Sequence, residues 1–363
     1  MSQTALIATS FVAFLLLFTG VGIYAASRKQ STTEDYLLAS RDVNPWTIGL
    51  SAFATTHSGG MFISWIGWTY QLGIVTVWPL VGWFVGDYFI WFVVNKRLRV
   101  LSEANSSETI GAFLAGGDDR QNRPIAVISA IMTIAFLGTY AAGQLLAGSK
   151  ALHAIFGWNY NTGIILGTAI ILAYCFSGGI RASIWTDALQ SLVMTIAMFA
   201  MVAVTVVACG GFGGLWQQLG DIDPALTSFM PQDTQYGFGL YLLGWLFAGV
   251  GVTGQPHIMV RAMAVDDAKN MGITRNIYAV SYVLFSAAAV LVGLGARVLL
   301  PTLMDGGDPE LALPQMAMEM LPALGVGVVL AGIFAAVVST ADSQILSCSA
   351  ALTQDLVPRM SHS

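Results

Sequence analysis

"SAFATTHSGGMFIS", Ser51 to Ser64, sits inside an apolar run, yet it carries two Thr, a His, a Gly pair and Ser at 51, 58 and 64. Hydroxyls and helix-weakening glycines at bilayer depth need a reason, because freed backbone groups in lipid must be satisfied by protein or by a watery cavity. The membrane setting itself follows from composition. The 363 residues are 56% hydrophobic and 10% charged, against roughly 25% charged in a soluble domain. The charges cluster between long apolar runs, which excludes a soluble enzyme and describes an all-α polytopic membrane protein.

A span needs about 20 apolar residues, and nine candidates meet that length, at 5–26, 46–70, 74–94, 125–148, 162–180, 185–209, 237–259, 277–300 and 320–350. The first lacks a basic leader and is read as a retained span rather than a cleaved signal. With the N-terminus outside, the inner loops hold Arg28, Lys29, Arg41, Lys96, Arg97, Arg99, Arg120, Arg123, Arg181, Arg261, Lys269, Arg275 and Arg359, leaving Lys150 and Arg297 opposite. That asymmetry sets the expected orientation. Cys175, Cys209 and Cys348 have no metal-like spacing and read as small apolar residues.

A second interrupted span matches the first. "FAGVGVTGQPHI", Phe247 to Ile258, has four Gly or Pro in twelve residues. The two interrupted spans lie five apart and therefore cross in opposite directions, as inverted repeats of five helices require. Discontinuous helices at matched positions are a sequence pointer to a secondary transporter's site; a packing kink is the alternative for either one alone. The expected layout is a single transmembrane domain over 1–363: a leading helix at 5–26, a first five-helix repeat at 45–209, and three helices of a second repeat at 237–352. The second repeat is two helices short, so a chain truncated after about nine spans is expected.

In "FAAVVSTADSQILS", helical spacing puts Ala336, Ser339, Thr340 and Ser343 on one stripe, with Asp342 at its edge. Such hydroxyl and carbonyl oxygens suit a hard cation such as Na+, and a carboxylate at this depth marks a functional position or an inner-surface residue. Asp187 is read as opening the sixth span, where the helix dipole alone accounts for it. Asp87 has no evident partner. Tyr140 and Gln144, four apart, line a cavity or link helices. His57 offers its backbone carbonyl, and His257 marks the second break. No phosphate-binding glycine loop and no nucleophile-base arrangement is present, so no enzyme is expected.

These motifs resemble the sodium:solute symporters, and within them the sodium/proline symporters. The carriers are "DYLLASR", "SAFATTHSGG", Tyr140, "SGGIRASIWTDALQ", "GQPHIMVRAMA" and "AAVVSTADSQILSCSAALTQDL", over about residues 5 to 358. The resemblance implies a leucine-transporter-like inverted-repeat helix bundle with one helix ahead of the core. It implies a main Na+ site of Ala54, His57 and Ala336 carbonyls with Ser339 and Thr340 hydroxyls. It also implies a second cation site at Asp187, Asp342 and Ser343, and a coupling role for Arg41. The solute is expected beside Thr55, Thr56, Ser58, Tyr140, Gln144, Trp245, Ala248, Val252 and Gln255. Thr56 stands where proline symporters have Asp, and Ala248 and Val252 where they have aromatics. The expected activity is Na+-coupled symport of proline or a similar amino acid across the bacterial inner membrane. A symporter of a sugar, carboxylate or vitamin, or a transporter-like sensor module, stays open. The expected partners are the solute, Na+ and the lipid bilayer, without nucleic acid.

Overall fold

The computed structural model describes residues 2–28, 30–117, 122–232, 234–304 and 306–357, with backbone alone for 170, 171 and 173–177. Lys29, Arg120, Arg359 and the Cys175 side chain, all assigned above, lie outside the described residues. The principal helices are α1 Gln3–Ala26, α2 Pro45–Thr56, α3 Ile66–Leu72, α4 Val77–Val93, α5 Arg123–Phe156, α6 Tyr160–Ala208, α7 Phe238–Val250, α8 Pro256–Met263, α9 Met271–Leu299 and α10 Ala323–Ala350. Among the described residues six helices are long and apolar enough to cross a membrane, and α7 with α8 makes a seventh across a 63° bend.

Local chemistry explains the boundaries. Asn44 Oδ1 accepts from Trp46 N–H at 2.9 Å with Pro45 in the first turn of α2, the pattern of a capped helix start. Helix α5 ends on Gly157 at φ 67°, a left-handed position that glycine takes without strain. The fifth and sixth candidate spans run together as α6 and part only at Gly179, where φ is 57° and ψ −151°. Asp187 therefore lies well inside a helix, eight residues beyond the break, and helix-start capping does not account for it. The second and third candidates run on similarly, because Met61–Ala104 is nearly continuous helix.

Helix α10 is the centre of the bundle. From Val329 to Gln344 every residue is buried, the hydroxyls and Asp342 included, so α10 is enclosed on all sides rather than on one stripe. It packs against α6, α5, α1, α2 and α8. Small residues permit that crowding: a Cβ at Gly332 would meet Ala197 Cβ at 2.8 Å, and one at Gly327 would meet Ser10 Cβ at 2.5 Å. In lipid, close backbone approach of this kind drives helix association.

At one end of the bundle, arginines clamp the loops. Arg41 reaches Glu34 (3.0 Å), the Ser107 carbonyl (2.8 Å) and the Met263 carbonyl (3.3 Å). Arg181 pairs with Asp35 at 2.6 Å, and Arg99 donates to the Val265 carbonyl at 2.6 Å. Arg41 thereby ties the segment before α2 to the end of α8. At the other end, Lys150 bridges Asp308 (2.9 Å) and Glu310, while Ser64 Oγ donates to Glu310 at 2.7 Å.

Candidate functional site

Helix α2 stops at His57, whose φ of −85° and ψ of 73° leave the helical region. The chain crosses Ser58, Gly59 and Gly60 and resumes as a wide turn, Met61–Trp65, leading into α3. A helix that ends this way leaves its last carbonyls without intrahelical partners. Helix α10 supplies them. Ser339 Oγ donates to the Ala54 carbonyl at 3.0 Å and lies 3.2 Å from the Ala336 carbonyl, and Thr340 Oγ1 donates to the Thr55 carbonyl at 3.0 Å. Ala54, Ala336, Ser339 and Thr340 are all 0% exposed. Oxygens alone, carbonyl and hydroxyl, converge here between a helix end and a helix face. That donor set fits a hard cation.

The His57 ring turns away from this cluster. Its Nδ1 is 3.3 Å from the Phe53 carbonyl and its Nε2 3.2 Å from Ser286 Oγ, and it lies among Phe53, Tyr282 and Phe285. On the far side of the break, Gln144 Oε1 accepts from Gly59 N–H at 2.9 Å. A Cβ at Gly59 would sit 2.6 Å from Val337 Cγ2 and 3.2 Å from that same Oε1, so glycine is what lets the chain run this close to α10 and α5.

Beside the break lies a cavity of about 250 Å³ lined by residues that include Thr56, Ser58, Met61, Trp65, Trp83, Tyr140 and Tyr282. It shares Ser64 and Trp65 with a wider hollow of about 470 Å³ that reaches Glu310. The Tyr140 hydroxyl hydrogen-bonds Ser58. Of the expected solute residues, Thr56, Ser58 and Tyr140 line this cavity. Trp245 stands behind it, 6.2 Å from the Trp65 ring and 6.0 Å from Trp68. Thr55, Gln144, Ala248, Val252 and Gln255 do not line it; Gln144 serves the backbone of the break, and Val252 is buried.

Asp187 and Asp342 are 0% and 1% exposed, so Asp342 is no inner-surface residue. The partner of Asp187 is Arg261, at 2.6 Å, with Ser51 Oγ donating to the same carboxylate oxygen at 2.7 Å. Arg261, assigned from sequence to an inner loop, is 0% exposed. Sequence reasoning did not place it beside Asp187. Asp87 likewise has a partner, the Tyr278 hydroxyl, with Trp91 stacked on that ring at 5.1 Å.

The bundle is a leucine-transporter-like fold. A solved structure described as the substrate-bound outward-open state of a Na+-coupled sialic acid symporter with a novel Na+ site superposes at TM-score 0.83, with 22% identity, over 99% of this chain and 75% of that one. The model of the sodium:solute symporter family matches residues 36–362, and the chain belongs to that family. Among its relatives, the high-affinity proline transporter PutP of Bacillus subtilis is 31% identical over 93% of this chain and 71% of the relative. The sodium/proline symporter of Escherichia coli is 30% identical over 92% and 67%. The chain thus spans about two thirds to seven tenths of these proteins, which are transporters and not enzymes. It is a multi-pass membrane protein of a Na+-coupled transport family.

Proposed function

We propose that this chain carries the ion and solute sites of a Na+-coupled symporter for a small zwitterionic amino acid, proline first, in the bacterial plasma membrane with its N-terminus outside. The observation that carries the reading is the cluster of Ala54, Thr55 and Ala336 carbonyls with Ser339 and Thr340 hydroxyls. It forms where α2 breaks, directly beside the cavity lined by Thr56, Ser58 and Tyr140. A Na+ held there fixes the end of α2 against α10 and so shapes the neighbouring solute wall, which links the two cargoes. The cavity's 250 Å³ falls below the roughly 300–1,000 Å³ of drug-sized pockets, which favours a compact solute over a large sugar. Its lining of Trp, Tyr and Met with a few hydroxyls suits a ring of methylenes bearing one polar end. The family's proline-transporting relatives support the same solute.

In this orientation the Arg41 end faces the cytoplasm and the Glu310 end faces outward. The hollow open toward Glu310 then receives solute and Na+, while the arginine clamp ties the inner loops together. One charge crossing 100 mV releases about 2.3 kcal/mol, enough for roughly fifty-fold accumulation. The test is uptake of labelled proline into proteoliposomes under an imposed Na+ gradient, against a panel of amino acids, sugars and carboxylates. Na+-dependent proline accumulation is expected. Uptake that is indifferent to Na+, or that prefers another solute class, overturns the ion or the solute half of the proposal respectively.

A further inference from the structure

The Na+-symport reading places cargo at the break of α2 but leaves a second buried charge cluster unexplained, about one helical turn away along α10. Its residues are Asp187 on α6 and Asp342 and Ser343 on α10, the three assigned above to a second cation site. A cation is already among them, and it is part of the chain. Arg261 on α8 donates from Nη2 to Asp187 Oδ2 at 2.6 Å and to Ser343 Oγ at 2.5 Å, with Ser183 Oγ at 3.5 Å. Its Nε donates to Ser51 Oγ at 2.8 Å, and its Nη1 donates to the His257 carbonyl. One guanidinium therefore joins α2, α6, α8 and α10 at the centre of the bundle.

We infer that the Arg261 guanidinium is a tethered cation that takes the place of a second Na+ at Asp187, Asp342 and Ser343, so that a single Na+ accompanies each solute. Three of the oxygens that a second Na+ would need are engaged. Asp187 Oδ2 receives Arg261 and Ser51, and Ser343 Oγ receives Arg261 while lying 2.9 Å from Asp342 Oδ1. A free ion entering there would face the guanidinium's positive charge at contact distance in a medium of low dielectric. Arginine suits the role because its planar fork satisfies several acceptors at once and stays charged when buried. A tethered cation offsets the Asp187 carboxylate as an ion would, yet it remains with the protein when the cargo leaves. The residues therefore do not fit a second Na+ while Arg261 is in place. Asp187 Oδ1 has no hydrogen-bond partner among the described residues; it is the oxygen that a free ion would meet once the guanidinium is gone.

This inference rests on the Na+ reading of the main site, and equilibrium binding of radiolabelled Na+ to the purified, detergent-solubilised chain separates the two. One Na+ per wild-type chain is expected, two in Arg261→Ala, one in Arg261→Lys, and one again in Arg261→Ala with Asp187→Asn. An arginine serving only as a structural brace would give no such gain. Two Na+ in the wild type, with Thr340→Ala removing one, would overturn the tethered cation and leave the main site standing. A folded Arg261→Ala protein that still binds one Na+ would also overturn it. Should Arg261→Ala fail to fold, the wild-type count decides: one supports the inference and two defeats it. Binding of no Na+ by any of these proteins removes both readings together.

Discussion

The two broken spans are matched in sequence and opposite in what they do with their break. At the first, between α2 and Met61, every neighbour serves the interruption: Ser339 and Thr340 donate to freed carbonyls and Gln144 accepts a freed N–H, all of it buried. At the second, Gly251, Thr253 and Gly254 are exposed, and the turn closes on itself, with Gln255 N–H donating to the Val252 carbonyl at 2.9 Å. The first break turns carbonyl oxygens toward the hydroxyls of α10, whereas the second reorients α8 by 63° and delivers a cation, Arg261, to the core. A glycine-rich interruption therefore marks a bend, and its chemistry depends on what packs against it.

The sharpest way to break this contrast is to strip the delivered cation of its partner. Asp187→Asn leaves a buried guanidinium without its carboxylate, a loss of about 3–5 kcal/mol, so the purified protein should melt far below the wild type. A melting temperature within a degree or two would mean that Arg261 does not depend on Asp187. Next in size is Gln144→Leu, which abandons the Gly59 N–H inside the bundle at a cost of about 1–3 kcal/mol. Both thermal stability and solute affinity should fall, since the break forms the cavity wall; an effect on stability alone would detach the break from the solute.

Thr340→Ala is expected to raise the Na+ concentration for half-saturation about tenfold, equivalent to about 1.4 kcal/mol. The matching change at the second break, Thr253→Ala, removes an exposed hydroxyl bonded to the Val250 carbonyl and should stay within about 0.5 kcal/mol. Equal Na+ responses in the two variants would erase the distinction between the breaks. The smallest effect lies outside the membrane. Burial pushes the Asp35 carboxyl up, but hydrogen bonds from Arg181, Gln30 N–H and Ser40 prevail and hold it below the usual carboxylate range. Its contribution is then complete above the unfolded value of about 3.9 and is lost as pH falls through the lower folded value. Melting temperature should hold from neutral pH to about pH 4 and decline below it, and Asp35→Asn should flatten that decline.

Much of this was legible in the chain because membrane helices write their exceptions plainly. Gly59, Gly60, Gly254 and Pro256 stand out against apolar runs, and the Ser339–Thr340 pair falls on one stripe of α10 by spacing alone. Arg261 was not legible, since an arginine five residues past a proline, after a span, counts as a loop charge under the positive-inside rule. Its signal was indirect: Asp187, buried by its apolar neighbours, had no basic residue within helical reach on α6. Tyr278 hid in the same way, as an aromatic on α9 whose hydroxyl answers Asp87 on α4. Pairings between distant spans leave no spacing behind, which is also why Trp65, Trp83 and Tyr282 could not be assigned to one cavity.

The bridge from Lys150 to Asp308 and Glu310, with Ser64 attached, lies at the hollow that Ser64 and Glu310 line and is partly solvated, its Lys150 side chain 21% exposed. Ion pairs in such positions are screened within about 8 Å at physiological ionic strength. Total salt therefore loosens this clasp whatever the cation, and raising NaCl changes access and coupling together. Titrations that exchange Na+ for choline at fixed ionic strength are the ones that isolate coupling, and a salt series in choline alone reads out the clasp.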